Sequence, residues 1–334
     1  MKLFLATCLL LGAANAATFH QESLRSIAEK VNSLQTTWQA KTDLPASLTA
    51  SSFKRLLGAK RSLHKTLMEV EEPLTTVSEI PEEFDARKQW PNCLTIGHIR
   101  DQGNCGSCWA VAASATFSDR LCIASKGKFV LPLSDQELLT CCSSCGDGCD
   151  GGYPKAAWDY FKNHGIVTGG GYNSSVGCQP YSVEACEHHT SGSRPSCDST
   201  PDLGTPDCVN HCTNSKYTIP FGSDHHKVSK SYYVSSKVSA IQQEILAHGP
   251  VEAAFDVYAD FPTYKSGVYH QTSGSYLGGH AVRVIGWGTE NNTPYWLIAN
   301  SWNNDWGDNG LFKIRRGNDE CGIESEMTAG LPIV

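Results

Sequence analysis

The sequence predicts an α+β fold in which a helical half precedes a β-rich half, with a cleft between them. Apolar side chains recur at the helical period over residues 108–125. A capping box at Ser134 and a run opened by Pro154 indicate two further helices, and residues 238–248 a later one. After that helix the apolar runs have the length and composition of strands, at residues 251–257, 281–287, 295–299 and 311–314.

Residues 1–16 have the features of a secretory signal peptide. A positively charged start and an apolar stretch precede the small residues Ala14 and Ala16, which suit a cleavage site. The apolar stretch is too short to cross a bilayer and no later run reaches about 18 apolar residues, so no membrane span is predicted. Glycosylation sequons at Asn173 and Asn291 fit the secretory route. We expect the protein to reach the lysosome or the extracellular space.

Cysteine divides the remaining chain into two parts. Residues 17–79, the N-terminal segment, contain none of the 15 cysteines, whereas residues 80–334, the body, contain all but the one in the signal peptide. This density indicates disulfide bonds formed in an oxidising compartment. The N-terminal segment shows helical spacing at its start but has few large apolar side chains, so we expect it to lie on the body. The net charge of −7 and the lack of a basic cluster argue against nucleic-acid binding.

The most specific motif surrounds Cys108 and reads Gln102-Gly103-Asn104-Cys105-Gly106-Ser107-Cys108-Trp109. A thiol attacks only as the thiolate, and its ordinary pKa is about 8.5. Cys108 stands where a glycine-containing loop turns into a helix, and a helix N-terminus favours the thiolate. Cys105 lies a turn too early. We therefore predict Cys108 as a nucleophile, the alternative being that both cysteines only form disulfides.

A cysteine nucleophile requires an imidazole that exchanges protons with it. Of the twelve histidines, His280 follows two glycines, which allow a substrate backbone to approach closely, and it begins an apolar strand. Asn300 ends a neighbouring strand, where its amide oxygen can orient the imidazole, and Trp302 can shield that hydrogen bond from water. Gln102, six residues before Cys108, is the candidate side-chain donor of an oxyanion hole.

In type and order, Gln102, Cys108, His280 and Asn300 resemble the catalytic residues of the papain family of cysteine proteases. The resemblance extends over residues 20–334. It implies a papain-like two-domain fold with a helical left domain, a β-barrel-like right domain and the active-site cleft between them. It also implies that the N-terminal segment is an inhibitory pro-segment and that the body is the protease domain.

The spacing of the catalytic residues implies an insertion. His280 and Asn300 lie farther from Cys108 than the usual distance of about 130–150 residues. The cysteine- and histidine-rich run over residues 186–197 resembles the occluding loop that one branch of the family carries at this place. The resemblance gives this loop a second activity: His188 and His189 would bind the C-terminal carboxylate of a peptide, so that the enzyme releases dipeptides besides cleaving internally.

The resemblance also implies roles for other residues. Glu326 would lie at the base of the pocket for the second side chain before the scissile bond. Gly151 and Gly152 would pair their backbone with the substrate as a short antiparallel strand. The remaining substrate-binding positions are Gly279 and Trp302. Two clamps would hold the occluding loop closed, one between His188 and Asp101 and one between Arg194 and Asp305. The implied disulfides are Cys93–Cys122, Cys105–Cys149, Cys141–Cys208, Cys142–Cys145, Cys178–Cys212 and Cys186–Cys197.

The expected partners are protein and peptide substrates, the N-terminal segment and cystatin-type inhibitors, and the chain is expected to be a monomer without metal or cofactor. The sequence is also compatible with two other interpretations. The first is a zinc module built on Cys141, Cys142, Cys145 and Cys149, which an oxidising compartment disfavours. The second is a catalytically inactive protease-like binding protein, which the presence of all four catalytic residue types disfavours.

Overall fold

The structure, a computed structural model, describes residues 23–45, 48–61, 70–71, 79–200 and 204–334. The predicted signal peptide lies outside these residues. The helices are α1 (Leu24–Ser33), α2 (Ala50–Lys54), α3 (Ala86–Gln89), α4 (Cys108–Ala124), α5 (Asp135–Cys141), α6 (Pro154–Asn163) and α7 (Val238–His248). The strands are β1 (Trp38–Ala40), β2 (Val70–Glu71), β3 (Phe84–Asp85), β4 (Val228–Val234), β5 (Val251–Tyr258), β6 (Tyr264–Tyr269), β7 (Tyr276–Glu290), β8 (Thr293–Ala299), β9 (Leu311–Arg315) and β10 (Met327–Pro332).

The helical half is built around α4, which is buried along nearly its whole length. A helix that packs on every side needs small and apolar residues all round, which the alanine-rich sequence of α4 supplies. The predicted cap of α5 is present, because Ser134 Oγ accepts a hydrogen bond from Glu137 N at 3.0 Å. Proline opens α6 at the first helical position, as predicted. The core of this half includes Trp109, Phe117, Leu138, Trp158 and Phe161.

The β half is one sheet with the strand order β1-β6-β9-β8-β7-β5-β10-β4-β2, and β3 pairs with β7 beside this path. Neighbouring strands are antiparallel except for β6 with β9 and β2 with β4. In the described residues the sheet stays open, so the β-barrel-like right domain implied by the resemblance is not a closed barrel. Its two edge strands are β1 and β2, which both belong to the N-terminal segment.

The N-terminal segment packs on the β half. The predicted helix at its start is α1, which buries Leu24, Ile27 and Val31, whereas Leu34 stands just beyond the helix end and is 55% exposed. Trp38 on β1 is buried against Tyr269, with 5.0 Å between the ring centroids. Its indole N–H donates to the carbonyl of residue 270 at 3.0 Å. These contacts give the segment the core that it cannot build alone.

Six disulfides occur among the described residues, and they join the same pairs that the resemblance implies: Cys93–Cys122, Cys105–Cys149, Cys141–Cys208, Cys142–Cys145, Cys178–Cys212 and Cys186–Cys197. The four cysteines of the zinc interpretation are thus all disulfide-bonded. Cys108 and Cys321 are free. Within the described ranges, no helix has the length and apolar character that a membrane crossing requires.

Candidate active site

Cys108 is the first residue of α4 and lies at the junction of the two halves, beside Ala254 and Ala281 of the sheet. Its side chain is completely buried, because Gly58 and Ala59 of the N-terminal segment cover it. Gly58 N–H donates to Cys108 Sγ at 3.2 Å. Burial raises the pKa of the Cys108 thiol to about 11, although backbone donors from Ala281 and Gly58 oppose this rise. In this covered state the sulfur therefore keeps its proton at neutral pH.

His280 on β7 lies within hydrogen-bond distance of Asn300 at the end of β8, with 2.7 Å between Nε2 and Oδ1. The Trp302 ring packs over the imidazole with 4.8 Å between centroids, and both side chains are fully buried. Among the described residues, His280 Nδ1 has no hydrogen-bond partner. Burial lowers the pKa of His280 to about 4, while Asn300 acts in the opposite direction. The imidazole is therefore neutral here.

Gln102 is buried beside residues 103–107, which precede the predicted nucleophile Cys108 and are called the nucleophile loop below. It uses both ends of its amide. Its Nε2 donates to the carbonyls of Cys105 at 2.8 Å and Leu56 at 2.9 Å. Its Oε1 accepts from Ser301 Oγ at 2.8 Å, which fixes the direction of the amide. Ser301 is a positioning residue that the sequence analysis did not identify, although its place directly after Asn300 was a signal for it.

The N-terminal segment runs through the cleft and bonds to both walls. Gly152 N–H donates to the Gly58 carbonyl at 2.8 Å, and Lys60 N–H donates to the Gly152 carbonyl at 2.8 Å. On the opposite wall, Ala59 N–H donates to the Gly279 carbonyl at 3.0 Å. The segment is parallel to the chain at Gly152, whereas a substrate strand was expected to be antiparallel.

Gly151, the other predicted pairing glycine, forms no ladder with the segment. Its N–H donates to the Gly148 carbonyl at 3.1 Å, and its own carbonyl accepts from Asp147 N–H at 2.7 Å. It has a φ of +100°, and a Cβ here would lie 2.6 Å from the Gly58 carbonyl oxygen. Gly151 thus shapes the loop and permits the close approach, and Gly152 makes the main-chain bonds.

Glu326 is buried at the edge of β10, and its carbonyl accepts from Ala254 N–H at 3.3 Å. A second buried carboxyl group, which the sequence analysis missed, is Glu252 on β5. Its Oε2 accepts from Trp158 Nε1 at 2.8 Å and from Thr328 Oγ1 at 3.2 Å. Burial raises the pKa of Glu252 to about 8, and the neighbouring Glu326 charge adds to the rise. An acidic residue within an apolar strand pattern was the available signal.

The two predicted histidines of the occluding loop lie side by side and are buried. Their Nδ1 atoms are 2.8 Å apart. His188 Nε2 is 3.8 Å from Asp101 Oδ1, and His189 Nε2 is 3.0 Å from Asp305 Oδ1. Burial and the neighbouring His188 lower the pKa of His189 to about 3, against the attraction of Asp305. Burial alone would raise the pKa of Asp101, but His188 and donors from Gly103 and Asn303 lower it.

The second predicted clamp is also in contact. Arg194 pairs with Asp305, and the same guanidinium Nη2 lies 3.0 Å from Glu187 Oε2. Glu187 was not predicted, although it stands next to the two histidines in the sequence. Because Asp305 contacts both His189 and Arg194, it ties the loop to the β half at two points.

A comparison with protein families matches residues 80–331 to the papain family cysteine protease model. A cathepsin B-like cysteine proteinase 4 of Caenorhabditis elegans is 51% identical over 314 residues, 92% of this chain and 92% of the relative. A cathepsin B-like cysteine proteinase of Schistosoma japonicum is 54% identical over 253 residues, 76% of this chain and 73% of the relative.

Solved structures agree with these relatives. The structure of proCathepsin B S9 from Trypanosoma congolense superposes with a TM-score of 0.79 at 36% identity, covering 92% of this chain and 98% of the other. Digestive procathepsin L 3 of Tenebrio molitor has a TM-score of 0.64 at 20% identity, covers 93% of this chain and 91% of its own, and shares the fold. The predicted resemblance to cathepsin B-type enzymes is confirmed, and the chain belongs to the papain family of cysteine proteases.

Proposed function

We propose that the protein is made as an inactive precursor whose body hydrolyses peptide bonds after the N-terminal segment is cleaved off close to Ile80. One observation carries this proposal. The segment fills the cleft over Cys108 and bonds to Gly152 and Gly279, one on each wall. It occupies the place of a substrate but runs parallel to the Gly152 wall, so that its peptide bonds are presented in the reverse sense.

The proposed reaction begins with an ion pair between the Cys108 thiolate and the His280 imidazolium. Asn300 holds one ring nitrogen of His280, which leaves Nδ1 to exchange a proton with the sulfur. The thiolate attacks the scissile carbonyl carbon, and the carbonyl oxygen becomes an oxyanion. Gln102 Nε2 and Cys108 N–H then stabilise this oxyanion. The Gln102 bond to the Leu56 carbonyl supports this role, because that acceptor leaves with the segment.

The second half of the reaction regenerates the enzyme. His280 gives its proton to the leaving amine as the carbon–nitrogen bond breaks, and the acyl group stays on sulfur as a thioester. The now neutral His280 takes a proton from water, and the hydroxide attacks the thioester carbonyl. The carbon–sulfur bond breaks, the acid product leaves, and the thiolate–imidazolium pair is restored. Trp302, packed over His280, keeps bulk water from the Asn300 hydrogen bond.

The nucleophile can be tested against the other free cysteine. Cys108→Ala should abolish hydrolysis of a fluorogenic dipeptide amide and prevent labelling by a thiol-directed epoxide. Cys321→Ala is the matched control and should retain both activity and labelling. Activity retained by the Cys108 variant, or labelling confined to Cys321, would contradict the assignment.

We further propose a peptidyl-dipeptidase activity at the end of the cleft covered by the occluding loop. His188 and His189 are buried beneath the N-terminal segment here, and its departure would leave their rings facing the cleft. A histidinium can bind the C-terminal carboxylate of a peptide. The Asp101 clamp weakens at low pH, because a carboxyl group with a lowered native pKa loses its stabilising charge as the pH falls through that value.

This activity is tested by His189→Ala, with His211→Ala as the control at an exposed histidine. The first variant should lose dipeptide release from peptide C-termini and keep internal cleavage. The control should keep both activities. Equal dipeptide release by the parent and His189→Ala would refute the carboxylate-binding role and leave the Cys108 chemistry untouched. Asp101→Ala should loosen the loop and raise endopeptidase activity.

We place the mature enzyme in the secretory pathway, ending in the lysosome or outside the cell. Asn173 and Asn291 support this because both are exposed and lie in turns, where a glycan can be attached. Its proposed partners are peptide and protein substrates, its own N-terminal segment and cystatin-type inhibitors, and it is proposed to act as a monomer. A mobility shift on enzymatic removal of N-glycans, lost in the double Asn→Gln variant, tests the glycosylation.

A further inference from the structure

We propose that Asp256 and three neighbouring backbone carbonyls form a subsite for the guanidinium group of a substrate arginine, which Arg61 of the N-terminal segment occupies in this structure. This inference rests on the proposed peptidase function. It adds a specificity element to the acyl side of the cleft that is separate from the Glu326 pocket. We refer to the four acceptors as the Asp256 subsite.

The contacts of Arg61 define the chemistry of the subsite. Its Nη2 donates to the carbonyls of Ala254 at 3.0 Å, Gly322 at 3.1 Å and Cys321 at 3.3 Å. Its Nε lies 3.7 Å from Asp256 Oδ1. A guanidinium group is planar, always charged and rich in hydrogen-bond donors. It therefore suits a site that offers three carbonyl acceptors and one carboxylate. The fit is close, since a Cβ on Gly322 would lie 2.5 Å from Arg61 Nη2.

The register of β5 separates this subsite from the Glu326 pocket. Alternate residues of a strand share a face, so Ala254 and Asp256 face the same side, about 7 Å apart. Glu326 stands opposite Ala254, because its carbonyl accepts a hydrogen bond from Ala254 N–H. The Glu326 side chain lies near Glu252, whose pKa its charge raises. Along β5, Glu252 precedes Ala254 by two residues and Asp256 follows it by two, so Asp256 lies on the opposite side of Ala254 from Glu252. An arginine in the Asp256 subsite and a side chain in the Glu326 pocket can therefore be bound together.

The course of the N-terminal segment identifies the end of the cleft. Residues 48–56 of the segment lie against the occluding loop, which is proposed to cover the leaving-group end. The chain then crosses Cys108, pairs with Gly152 through Lys60, and reaches the subsite with Arg61. The subsite is therefore on the acyl side. When the segment leaves, Asp256 and the three carbonyls lose this cationic partner, and an arginine of the substrate can replace it.

The experiment compares arginine with citrulline, which has nearly the same shape and no charge. Mature enzyme is given peptide amides with valine as the second residue before the scissile bond and either residue at the third or fourth position. The parent should prefer arginine by about fivefold in kcat/KM at one of these positions, a modest effect because Asp256 is about one-third exposed. Asp256→Asn should lower kcat/KM more for arginine peptides than for citrulline peptides, so that most of this preference is lost. Asp207→Asn, an equal loss of charge at an exposed site outside the subsite, should keep the preference.

Equal rates for arginine and citrulline peptides at both positions, or a preference that survives Asp256→Asn, would overturn the subsite. A second measurement is independent of peptide hydrolysis. In the full-length precursor, Arg61→Gln and Asp256→Asn should each speed epoxide labelling of Cys108, and the double variant should add nothing to the larger single effect. Additive effects would overturn the pairing. If no peptide of any sequence is hydrolysed, the proposed function fails. The epoxide-labelling rates of the two single variants and the double variant then decide alone whether Asp256 binds the Arg61 guanidinium.

Discussion

Gly58 is the position where the smallest change should most disturb the closed precursor. It is the one glycine of the N-terminal segment, and it bonds Cys108 Sγ through its N–H and Gly152 through its carbonyl. A Cβ at this position would lie 1.7 Å from the Gly106 carbonyl oxygen and 2.5 Å from the carbonyl carbon. These are backbone atoms of the disulfide-pinned nucleophile loop, so no side-chain rotation relieves the overlap.

The size of the effect follows from the cost of overpacking. Inserting a methyl group into a packed site costs about 1–3 kcal/mol, and contact with fixed backbone places Gly58→Ala near the upper value. Since each 1.4 kcal/mol is about a tenfold change, the hold of the segment on the cleft should weaken by about 100-fold. The fraction of precursor molecules with an open cleft should rise by the same factor.

Epoxide labelling of Cys108 in the full-length precursor at pH 7 measures this fraction directly, with intact mass confirming that the segment is still attached. Gly222→Ala is the matched control, because a Cβ there meets nothing within 4 Å. Gly58→Ala should label much faster than the parent, and Gly222→Ala should not. Labelling of the Gly58 variant at the parent's rate would refute the close passage of the segment over the nucleophile.

Three further predictions concern stability and docking. Glu252→Gln should raise the melting temperature at pH 7.5 but not at pH 4.5. The reason is that a carboxyl group with a native pKa near 8 destabilises the fold progressively from about pH 4.5 upward, by about 3 kcal/mol at pH 7. An equal rise in melting temperature at both pH values would contradict this. Trp302→Ala should cost about 3–5 kcal/mol of stability in urea unfolding and lower kcat more than it changes KM, because water reaches His280; an unchanged kcat would count against shielding. Trp38→Ala should weaken docking of the segment by about 3–5 kcal/mol and speed conversion of the precursor on a gel at pH 5, whereas the exposed control Leu34→Ala should convert like the parent.

Much of the fold follows from local sequence signals. The bounds predicted for α7 agree with the structure because Gly249, with a φ of +96°, ends the helix at a residue that the sequence marks. The strands β5, β7, β8 and β9 were predicted by apolar runs, although β7 is longer than expected. β6 was missed because its sequence is interrupted by lysine, serine and Gly267. A Cβ on Gly267 would lie 2.5 Å from the Thr37 carbonyl, so this glycine serves the approach of β1.

The same contrast applies to the site. The sequence predicts Cys108, His280 and Asn300 because each is a chemically distinctive residue at a recognisable place in a strand or helix. The proposed roles of Asp256 and Arg61 could not be predicted, because they depend on which face of β5 borders the cleft and where a separate segment crosses it. Residues that act through long-range contacts leave little trace in local pattern.

The structure also supports a reason beyond obstruction for the proposed inactivity of the precursor. In the proposed mechanism a proton moves from Cys108 to His280, but here the thiol pKa is about 11 and the imidazole pKa about 4. Both shifts have burial as their main cause, and the N-terminal segment contributes to that burial at Cys108. Acid alone cannot create the ion pair, because lowering the pH protonates the imidazole without removing the proton from sulfur. Acid can activate the precursor only by loosening the contacts of the segment, after which hydration of the cleft moves the two pKa values toward each other. Variants that weaken docking, such as Gly58→Ala, should therefore make Cys108 reactive at neutral pH without any change in the catalytic residues.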